Sequence, residues 1–259
     1  MLLKESSKNN WVVVYMKIIV DKKNRKYVIN DEEFHTEKGV IKKEDIVNAK
    51  VGDTLQTHLG KKYTLINPNI NDYIELMKRK CSILLPQDLG LIVGFTGIGN
   101  GSKIVESGTG AGSSLLFFAN IVGEKGHVSS YEIREDFIEV IEENLEGTDF
   151  KNITLTNKDI TEGFNEEDNS IDLVFLDLPY PQDVISDAYR ILKTGGFIAV
   201  YSPYVEQFQQ VHRELEKNKF KHIKIREGNV RELEIKNNKT RPSSRLAGHT
   251  GYITFARKM

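Results

Sequence analysis

A glycine-rich loop is the segment of this sequence whose residue types could most directly hold a ligand. Three glycines alternate in the stretch Gly108-Thr109-Gly110-Ala111-Gly112, and Ser113 follows at the start of a predicted helix. Glycines let the backbone turn tightly and approach a ligand closely, and such loops follow the first strand of nucleotide-binding sheets. Ser113 stands where a dinucleotide fingerprint requires its third glycine. We expect this loop to cradle a cofactor, although three glycines alone also fit an ordinary tight turn.

Two carboxylates follow the next two predicted strands. Glu132 ends a strand about twenty residues after the glycines, where a carboxylate can accept hydrogen bonds from both hydroxyls of a ribose. Asp159 follows the third strand and is placed to contact an adenine amino group. Carboxylates in this neighbourhood attract a sulfonium cation and repel a pyrophosphate. The pattern therefore favours an adenosyl cofactor with a positive charge.

A third carboxylate is the candidate for the chemistry itself. Asp177-Leu178-Pro179-Tyr180 follows the fourth predicted strand, and the ends of parallel strands project side chains into the active crevice. The tetrad is similar to the Asp/Asn-Pro-Pro-Tyr motif with which amino-methyltransferases hold a planar nitrogen, except that Leu178 replaces the first proline. An Asp-x-Pro sequence that only turns a loop is the alternative.

Alternating strands and helices must position these loops. After residue 102 the pattern predicts strands at 103–106, 127–132, 153–156, 171–176, 197–201, 221–226 and 251–257, and helices at 113–122, 135–145, 183–192 and 204–218. Strands that alternate with helices of about ten residues predict a doubly wound, Rossmann-like α/β sheet with right-handed crossovers.

The first quarter of the chain follows a different pattern. Short strands are predicted at 11–15, 17–20 and 26–29, and Asn71-Asp72 is predicted to cap a helix that runs to about Lys80. We therefore expect a small N-terminal β domain over residues 1–75, a linker helix and cofactor-covering segment over 76–102, and the doubly wound domain over 103–259.

Several stretches together resemble one enzyme family. The sequence resembles the tRNA adenine-N1 methyltransferases that modify position 58 of the T-loop, above all their short archaeal and bacterial members, from about residue 25 to the end. The stretches that carry the resemblance are Val105–Gly112, Tyr131–Arg134, Leu176–Pro179, Ala199–Pro203 and Gly248–Ala256, with Phe34–Gly39, Asn67–Tyr73 and Leu85–Asp88 upstream.

The resemblance implies a class I methyltransferase domain with S-adenosyl-L-methionine as cofactor, and a homotetramer that grips tRNA. By position, it implies that Asp177 holds the target adenine and that Tyr201 lines the same pocket. It leaves open whether the neighbouring adenine 57 is methylated as well. Lys80-Cys81-Ser82 and Gln87 depart from the family pattern of Arg-Thr-Gln and Pro-Lys. The implied cofactor contacts are Leu84, the loop Gly108–Ser113, Glu132, Asp159 and Ile160.

Charge is distributed unevenly along the chain. The total is only −1, but residues 1–100 carry a net +4, residues 101–200 a net −12 and residues 201–259 a net +7. Such asymmetry indicates separate partners for the segments. We expect part of the basic flanks to contact tRNA phosphates, the rest being ordinary surface. The candidates are Lys217, Lys219, Lys221, Lys224, Arg226, Arg231, Arg241 and Arg245, with Lys22, Lys23, Arg25, Lys26, Lys42 and Lys43 near the start.

Three features bear on the compartment. Cys81 is the single cysteine, so the chain forms no internal disulfide. The first ten residues lack the apolar core of a signal peptide. No apolar run approaches the roughly 18 residues of a membrane-spanning helix. We expect a cytoplasmic protein with no membrane partner.

Other functions stay open at this point. The tetrad at Asp177 also suits methylation of another nitrogen, such as the exocyclic N6 of adenine or a protein amide. A noncatalytic tRNA-binding subunit is the alternative from a different class, and a nicotinamide-dependent dehydrogenase is disfavoured by the glycine spacing. His249 is expected to be structural rather than catalytic.

Overall fold

A computed structural model describes residues 16–244 and 248–259, which form two compact units. The smaller unit contains residues 16–78 together with Glu143–Asp149, and the larger contains Arg79–Glu142 and the described residues from Phe150 onward. The predicted strand at 11–15 lies outside the described residues. The three-part division at residues 75 and 102 stays a prediction.

The smaller unit is built mainly from short antiparallel strands. A four-stranded sheet has the order β2-β1-β6-β5, and β3 pairs with β4 in a separate hairpin. Apolar side chains on one face of the sheet, such as Ile19, Leu55 and Leu65, pack with Ile41 and Ile46 in the core. The elements are β1 (Lys17–Asp21), β2 (Lys26–Ile29), β3 (Phe34–Thr36), β4 (Gly39–Ile41), α1 (Lys43–Asn48), β5 (Thr54–Gln56), β6 (Lys62–Ile66) and α2 (Ile70–Leu76).

Helix α2 begins and ends earlier than the sequence predicted. Asn69 is its N-cap: the Asn69 side chain accepts hydrogen bonds from the backbone of Asn71 and Asp72, and the Asp72 carboxylate accepts the Asn69 N–H in return. The predicted cap at Asn71-Asp72 was wrong, because Asp72 is the acidic third residue of this capping box. The predicted end at Lys80 was also wrong, since the helix ends at Leu76.

The larger unit contains a seven-stranded sheet flanked by helices. Its strand order is β12-β15-β11-β10-β7-β8-β9, and β15 is antiparallel to both of its neighbours, while β11, β10, β7, β8 and β9 run parallel. The elements are α3 (Pro86–Thr96), β7 (Lys103–Ser107), α4 (Ser113–Val122), β8 (His127–Glu132), α5 (Glu135–Glu146, whose last four residues belong to the smaller unit), β9 (Ile153–Asn157), β10 (Ile171–Leu176), α6 (Ile185–Ile191), β11 (Leu192–Ser202), α7 (Val205–Lys217), β12 (Lys221–Glu227), β13 (Leu233–Lys236), β14 (Lys239–Pro242) and β15 (Tyr252–Arg257).

The prediction of a doubly wound α/β sheet is confirmed. The central strand β10 is apolar at nearly every position and almost fully buried, because helices cover both faces of a parallel sheet. Its neighbour β7 carries the glycine-rich loop at its end. The fold therefore brings the ends of β7, β8 and β10 to one edge, where the candidate residues stand.

The region between β10 and β11 differs from the prediction. The predicted helix at 183–192 is a 3-10 turn over Pro181–Val184 followed by the shorter α6. Strand β11 already begins at Leu192, which pairs with Ile171, and the register shifts before Phe197 pairs with Leu173. The turn predicted around Gly195 is thus an irregularity inside the strand, with Gly195 at a φ of +88°.

Several elements were not predicted individually, such as helix α1 in the smaller unit. In the larger unit, helix α3 has Pro86 in its first turn, and β13 and β14 pair as an antiparallel hairpin. Asn237 and Asn238 form the hairpin turn with φ of +51° and +59°, the conformation that asparagine tolerates best after glycine. Within the described residues, no helix combines the length and apolar character needed to span a bilayer.

Candidate active site

The glycine-rich loop lies against the end of strand β10. Gly108 has a φ of +90°, and a β-carbon added there would lie 2.8 Å from the carbonyl carbon of Asp177 and closer still to its oxygen. On the other side, the Asp177 N–H donates to the Ser107 carbonyl at 2.9 Å. The absence of a side chain at Gly108 is thus what lets the loop and the backbone of Asp177 meet.

Glu132 holds the same loop from the end of β8. The Gly110 N–H donates to Glu132 Oε2 at 3.0 Å, and the Arg134 N–H donates to Glu132 Oε1 at 2.9 Å. Each carboxylate oxygen can accept two hydrogen bonds, so both keep capacity for a ligand hydroxyl. Backbone groups therefore fix the carboxylate at the end of β8, and each of its oxygens can accept a further hydrogen bond.

Cys81 lies beside the loop as well. A β-carbon on Gly110, whose φ is +57°, would lie 3.0 Å from Cys81 Sγ. Burial raises the pKa of the Cys81 thiol, and the nearby charges of Asp177 and Glu132 raise it further. The Cys81 side chain therefore packs against the loop in surroundings that disfavour its ionised form.

Glu106 lies buried beneath the loop and was not among the predicted site residues. The Ser130 hydroxyl donates to Glu106 Oε1 at 2.7 Å, and the Ser130 and Thr109 hydroxyls are 2.6 Å apart. Burial raises the pKa of Glu106 to about 7, and the hydrogen bond from Ser130 opposes that rise. The side chain thus links β7, β8 and the loop.

Asp159 caps the 3-10 turn Ile160–Glu162 after β9. Its Oδ1 accepts hydrogen bonds from both the hydroxyl of Thr161 at 2.7 Å and the Thr161 N–H at 2.9 Å, and these bonds lower the pKa of Asp159. Both hydrogen bonds from Thr161 go to Oδ1 of Asp159, so the other carboxylate oxygen, Oδ2, is not bonded to Thr161. The side chain of Ile160 is buried in the main core, so only the backbone of Ile160 is left to contact a ligand. Leu84 is likewise buried.

Asp177 stands at the end of β10, partly exposed at the edge where the loop lies. Burial against the surrounding protein raises its pKa to about 6. Among the described residues, none donates a hydrogen bond to the Asp177 carboxylate. A carboxylate with a raised pKa whose oxygens accept no hydrogen bond from the described part of the chain can accept a hydrogen bond, and then a proton, from a bound molecule.

Tyr201 presents a ring surface rather than a free hydroxyl. Its Oη donates to the Thr250 carbonyl, and burial raises the pKa of Tyr201 to about 12, with a further contribution from the charge of Asp177. A β-carbon on Gly251 would overlap the Tyr201 ring. The ring is therefore held by its hydroxyl and by close packing on the backbone of residues 250–251.

His249 immediately precedes Thr250, whose carbonyl accepts the Tyr201 hydroxyl, and its ring is held by other protein groups. Its Nδ1 faces Glu227 Oε1 at 2.7 Å and its Nε2 faces the Pro203 carbonyl at 3.1 Å, and these two acceptors raise the pKa of His249. The adjacent Thr250 hydroxyl donates to the buried Asp88 at 3.0 Å. Both ring nitrogens are thus engaged with protein acceptors, which fits the structural role expected for this histidine.

Comparison with known proteins decides the family. The family model described as tRNA methyltransferase complex GCD14 subunit matches residues 65–241. The tRNA (adenine(57)-N(1)/adenine(58)-N(1))-methyltransferase TrmI of Methanocaldococcus jannaschii is 34% identical, over 93% of this chain and 94% of that protein. This chain belongs to the GCD14 family. The sequence-based prediction of that resemblance is confirmed.

Two further relatives of this GCD14 family chain are informative. A tRNA (adenine(58)-N(1))-methyltransferase TrmI of Thermus thermophilus is 31% identical, over 93% of this chain and 96% of that protein. A SAM-dependent O-methyltransferase from Thermotoga maritima, whose crystal structure is known, is 28% identical in sequence. Its structure matches this one with a TM-score of 0.87, over 100% of this chain and 98% of that one. The likeness extends over both compact units.

The sequence-predicted residues of this GCD14 family chain fall into two sets. At one edge of the sheet, Gly108 lies against the backbone of Asp177, and the Gly110 N–H donates to the side chain of Glu132. Asp159 and Leu84 have no such contact to that set. Glu106 was missed although it stands two residues before Gly108, and its position in the motif was the available signal.

Proposed function

We propose that this chain transfers a methyl group from S-adenosyl-L-methionine to N1 of adenine 58 in the T-loop of tRNA. The observation that carries the proposal is the junction of Gly108 with Asp177, which places a carboxylate that accepts no hydrogen bond from the described residues beside the backbone of the glycine-rich loop. The curated relatives supply the substrate, since both TrmI proteins bear the name of an adenine-58 N1 methyltransferase. Adenine 57 is a second target in the name of the Methanocaldococcus protein.

The residues at the junction fit the cofactor. A β-carbon at Gly108 would collide with the Asp177 backbone and one at Gly110 would press on Cys81, so the glycines let the loop fold closely against these neighbours and leave its backbone groups for the cofactor. Glu132 is held in place for the ribose hydroxyls, Asp159 for the adenine amino group, and Leu84, Thr109, Ala111, Gly112, Ser113 and Ile160 complete the proposed contacts. The negative charge of Glu132 and Asp177 suits a cation. When bound, S-adenosyl-L-methionine supplies an electrophilic methyl group on sulfur.

Asp177 is the proposed catalytic residue. Adenine N1 carries a lone pair and needs no deprotonation, but its methylation leaves a cation whose N6 amino group has become acidic. Asp177 accepts a hydrogen bond from N6, stabilises the developing positive charge and can then take the proton. With a pKa of about 6, the carboxylate is mostly ionised at neutral pH and still basic enough to accept a proton.

The target base must leave its stack to reach this pocket. N1 lies on the pairing edge of adenine, so the base has to be presented out of the tRNA tertiary structure. Tyr201 offers the packed ring described above, and Tyr180 is 69% exposed beside Asp177 in sequence. We propose that one of these rings stacks on the extruded adenine, and that most of the acceleration comes from aligning N1 with the methyl carbon.

The basic flanks are the proposed tRNA contacts. Strand β12 lies at the edge of the large sheet and exposes Lys221, Lys224 and Arg226 to solvent. Such cations attract phosphates without regard to sequence. In keeping with the family resemblance, we also propose a cytoplasmic homotetramer in which more than one subunit grips the tRNA.

One alternative has a specific observation in its favour. The Thermotoga structure is described as that of an O-methyltransferase, and such an activity would place the methyl group on an oxygen such as a ribose hydroxyl. A second alternative follows from the likeness of the tetrad at Asp177 to the amino-methyltransferase motif, namely methylation of adenine N6 or of a protein amide. The retained glycines, Glu132 and Asp177 disfavour a noncatalytic subunit.

One experiment separates these activities. Unmodified tRNA transcript is incubated with methyl-labelled S-adenosyl-L-methionine, digested to nucleosides and resolved by chromatography and mass spectrometry. We expect labelled N1-methyladenosine that disappears when adenine 58 is replaced by guanosine in an otherwise identical transcript. Label in N6-methyladenosine or in a 2′-O-methyl nucleoside would contradict the proposal. Calorimetry with S-adenosyl-L-methionine alone tests the noncatalytic alternative, which predicts no binding.

A further inference from the structure

We propose that Gln207 is a positioning residue that fixes the backbone segment carrying Asp177. Gln207 lies in the first turn region of helix α7, and its Nε2 donates to the Leu178 carbonyl at 2.8 Å and to the Pro179 carbonyl at 3.0 Å. One amide group thus joins two successive carbonyls of the loop from 28 residues further along the chain. The inference rests on the proposed function, since it assigns Gln207 to the same site.

The Asp177 carboxylate depends on its backbone for its position. None of the described residues donates a hydrogen bond to it, so the side chain has no direct partner to orient it. Before Asp177, strand β10 is held in the sheet, and the contacts with Ser107 and Gly108 hold the residue itself. After Asp177 the chain leaves the sheet, and Pro179 has no N–H with which to bond.

Gln207 provides the missing attachment on that downstream side. Leu178 packs its side chain against the main core, and Gln207 is the described side chain that bonds the two carbonyls of Leu178 and Pro179. The backbone on both sides of Asp177 is thereby restrained. A carboxylate held in this way can meet the N6 group of an adenine without being bonded to a protein donor.

The amide of Gln207 is used only as a donor. Its Oε1 is buried and has no hydrogen-bond partner among the described residues. A buried acceptor without a partner is unfavourable, and folded proteins usually avoid it. The two N–H groups on Nε2 match the two carbonyls, which is the physical reason for an amide at this position.

Helix α7 offers a matched control. Gln210 lies on the same helix, is exposed to solvent, and carries the same side chain. Replacement of either glutamine by methionine removes the amide at nearly constant length. Gln207→Lys restores N–H donors on a longer, positively charged side chain, so it tests whether a donor at this position is enough to hold the two carbonyls.

The test combines kinetics with hydrogen exchange. Misplacement of a reacting group by about 1 Å can lower a rate about 100-fold, so we expect Gln207→Met to lower kcat by about 10- to 100-fold. Affinity for S-adenosyl-L-methionine, measured by calorimetry, should change less than about twofold, because the cofactor cradle does not include Gln207. Gln207→Lys should recover a large part of kcat, and Gln210→Met should match the wild type.

Hydrogen exchange followed by mass spectrometry tests the hydrogen bonds from Gln207 to the Leu178 and Pro179 carbonyls independently of enzymatic activity. Peptides covering residues 177–184 should exchange faster in Gln207→Met than in the wild type and in Gln210→Met. Unchanged exchange in these peptides, or an unchanged kcat, would overturn the inference. A wild-type protein that fails to methylate adenine 58 while the exchange difference persists would refute the proposed function and leave the positioning role of Gln207 supported.

Discussion

Substitution of Gly108 by alanine tests the junction on which the proposed function depends. The added β-carbon would lie 2.8 Å from the Asp177 carbonyl carbon, whereas ordinary contact begins at 3.4 Å. The two backbone segments must therefore separate by at least 0.6 Å, and by more at the carbonyl oxygen, which is nearer still. The φ of +90° adds strain, since a left-handed conformation costs an alanine about 1–2 kcal/mol.

The size of the kinetic effect follows from that displacement. A shift of about 1 Å between reacting groups can cost about 100-fold in rate, so we expect the single-turnover rate of Gly108→Ala to fall about 100-fold. Affinity for S-adenosyl-L-methionine should fall as well, because the same movement alters the cradle. Labelled methyl transfer to tRNA and calorimetry measure the two effects.

A matched glycine separates the clash from the backbone strain. Gly101 has a φ of +88°, and a β-carbon there would meet only Lys125 at 4.0 Å. Gly101→Ala should therefore share the strain and the loss of stability but keep its rate of methyl transfer. If Gly108→Ala reacted as fast as Gly101→Ala, the reasoning about the junction would be refuted.

Three further outcomes are expected. Asp177→Ala should lower turnover by about 100-fold or more while affinity for S-adenosyl-L-methionine falls much less; nearly normal methylation would sink the assignment. The single-turnover rate should rise with pH and level off above the Asp177 pKa of about 6, because only the ionised carboxylate accepts a proton; a flat profile from about pH 5 to pH 8 would count against it. Affinity for tRNA, measured by filter binding, should fall more than about tenfold between about 50 and 200 mM salt, and a salt-independent affinity would argue against phosphate contacts from the flanks.

Sequence predicted the sheet well where local signals and burial agree. Strand β10 and helix α4 match their predicted bounds, since β10 is apolar at every position except Asp172 and α4 begins directly after the glycines and ends before Gly123. The cap of α2 was readable but misread: Asp72 lies three residues after Asn69, and that spacing defines the cap.

The candidate site was only partly accessible to sequence reasoning. Gly108, Glu132 and Asp177 follow strands in a recognisable pattern, so their residue types and spacing point to a common edge. Gln207 could not be found in this way, because its role depends on a contact with a distant loop and its neighbours include identical glutamines. The raised pKa values of Glu106 and Asp177 likewise arise from burial that no local pattern encodes.

The meeting of Gly108 with Asp177 also has a consequence for how the protein folds. The two residues lie 69 positions apart and come together only when β7 and β10 have paired. Contacts between distant parts of a chain form late, after local helices and hairpins. During synthesis, a growing chain that has completed only β7, α4 and β8 therefore lacks the wall behind its cofactor loop. We therefore expect capture of the cofactor to require the pairing of β7 with β10, so that cofactor binding distinguishes chains that have formed this pair from chains that have not.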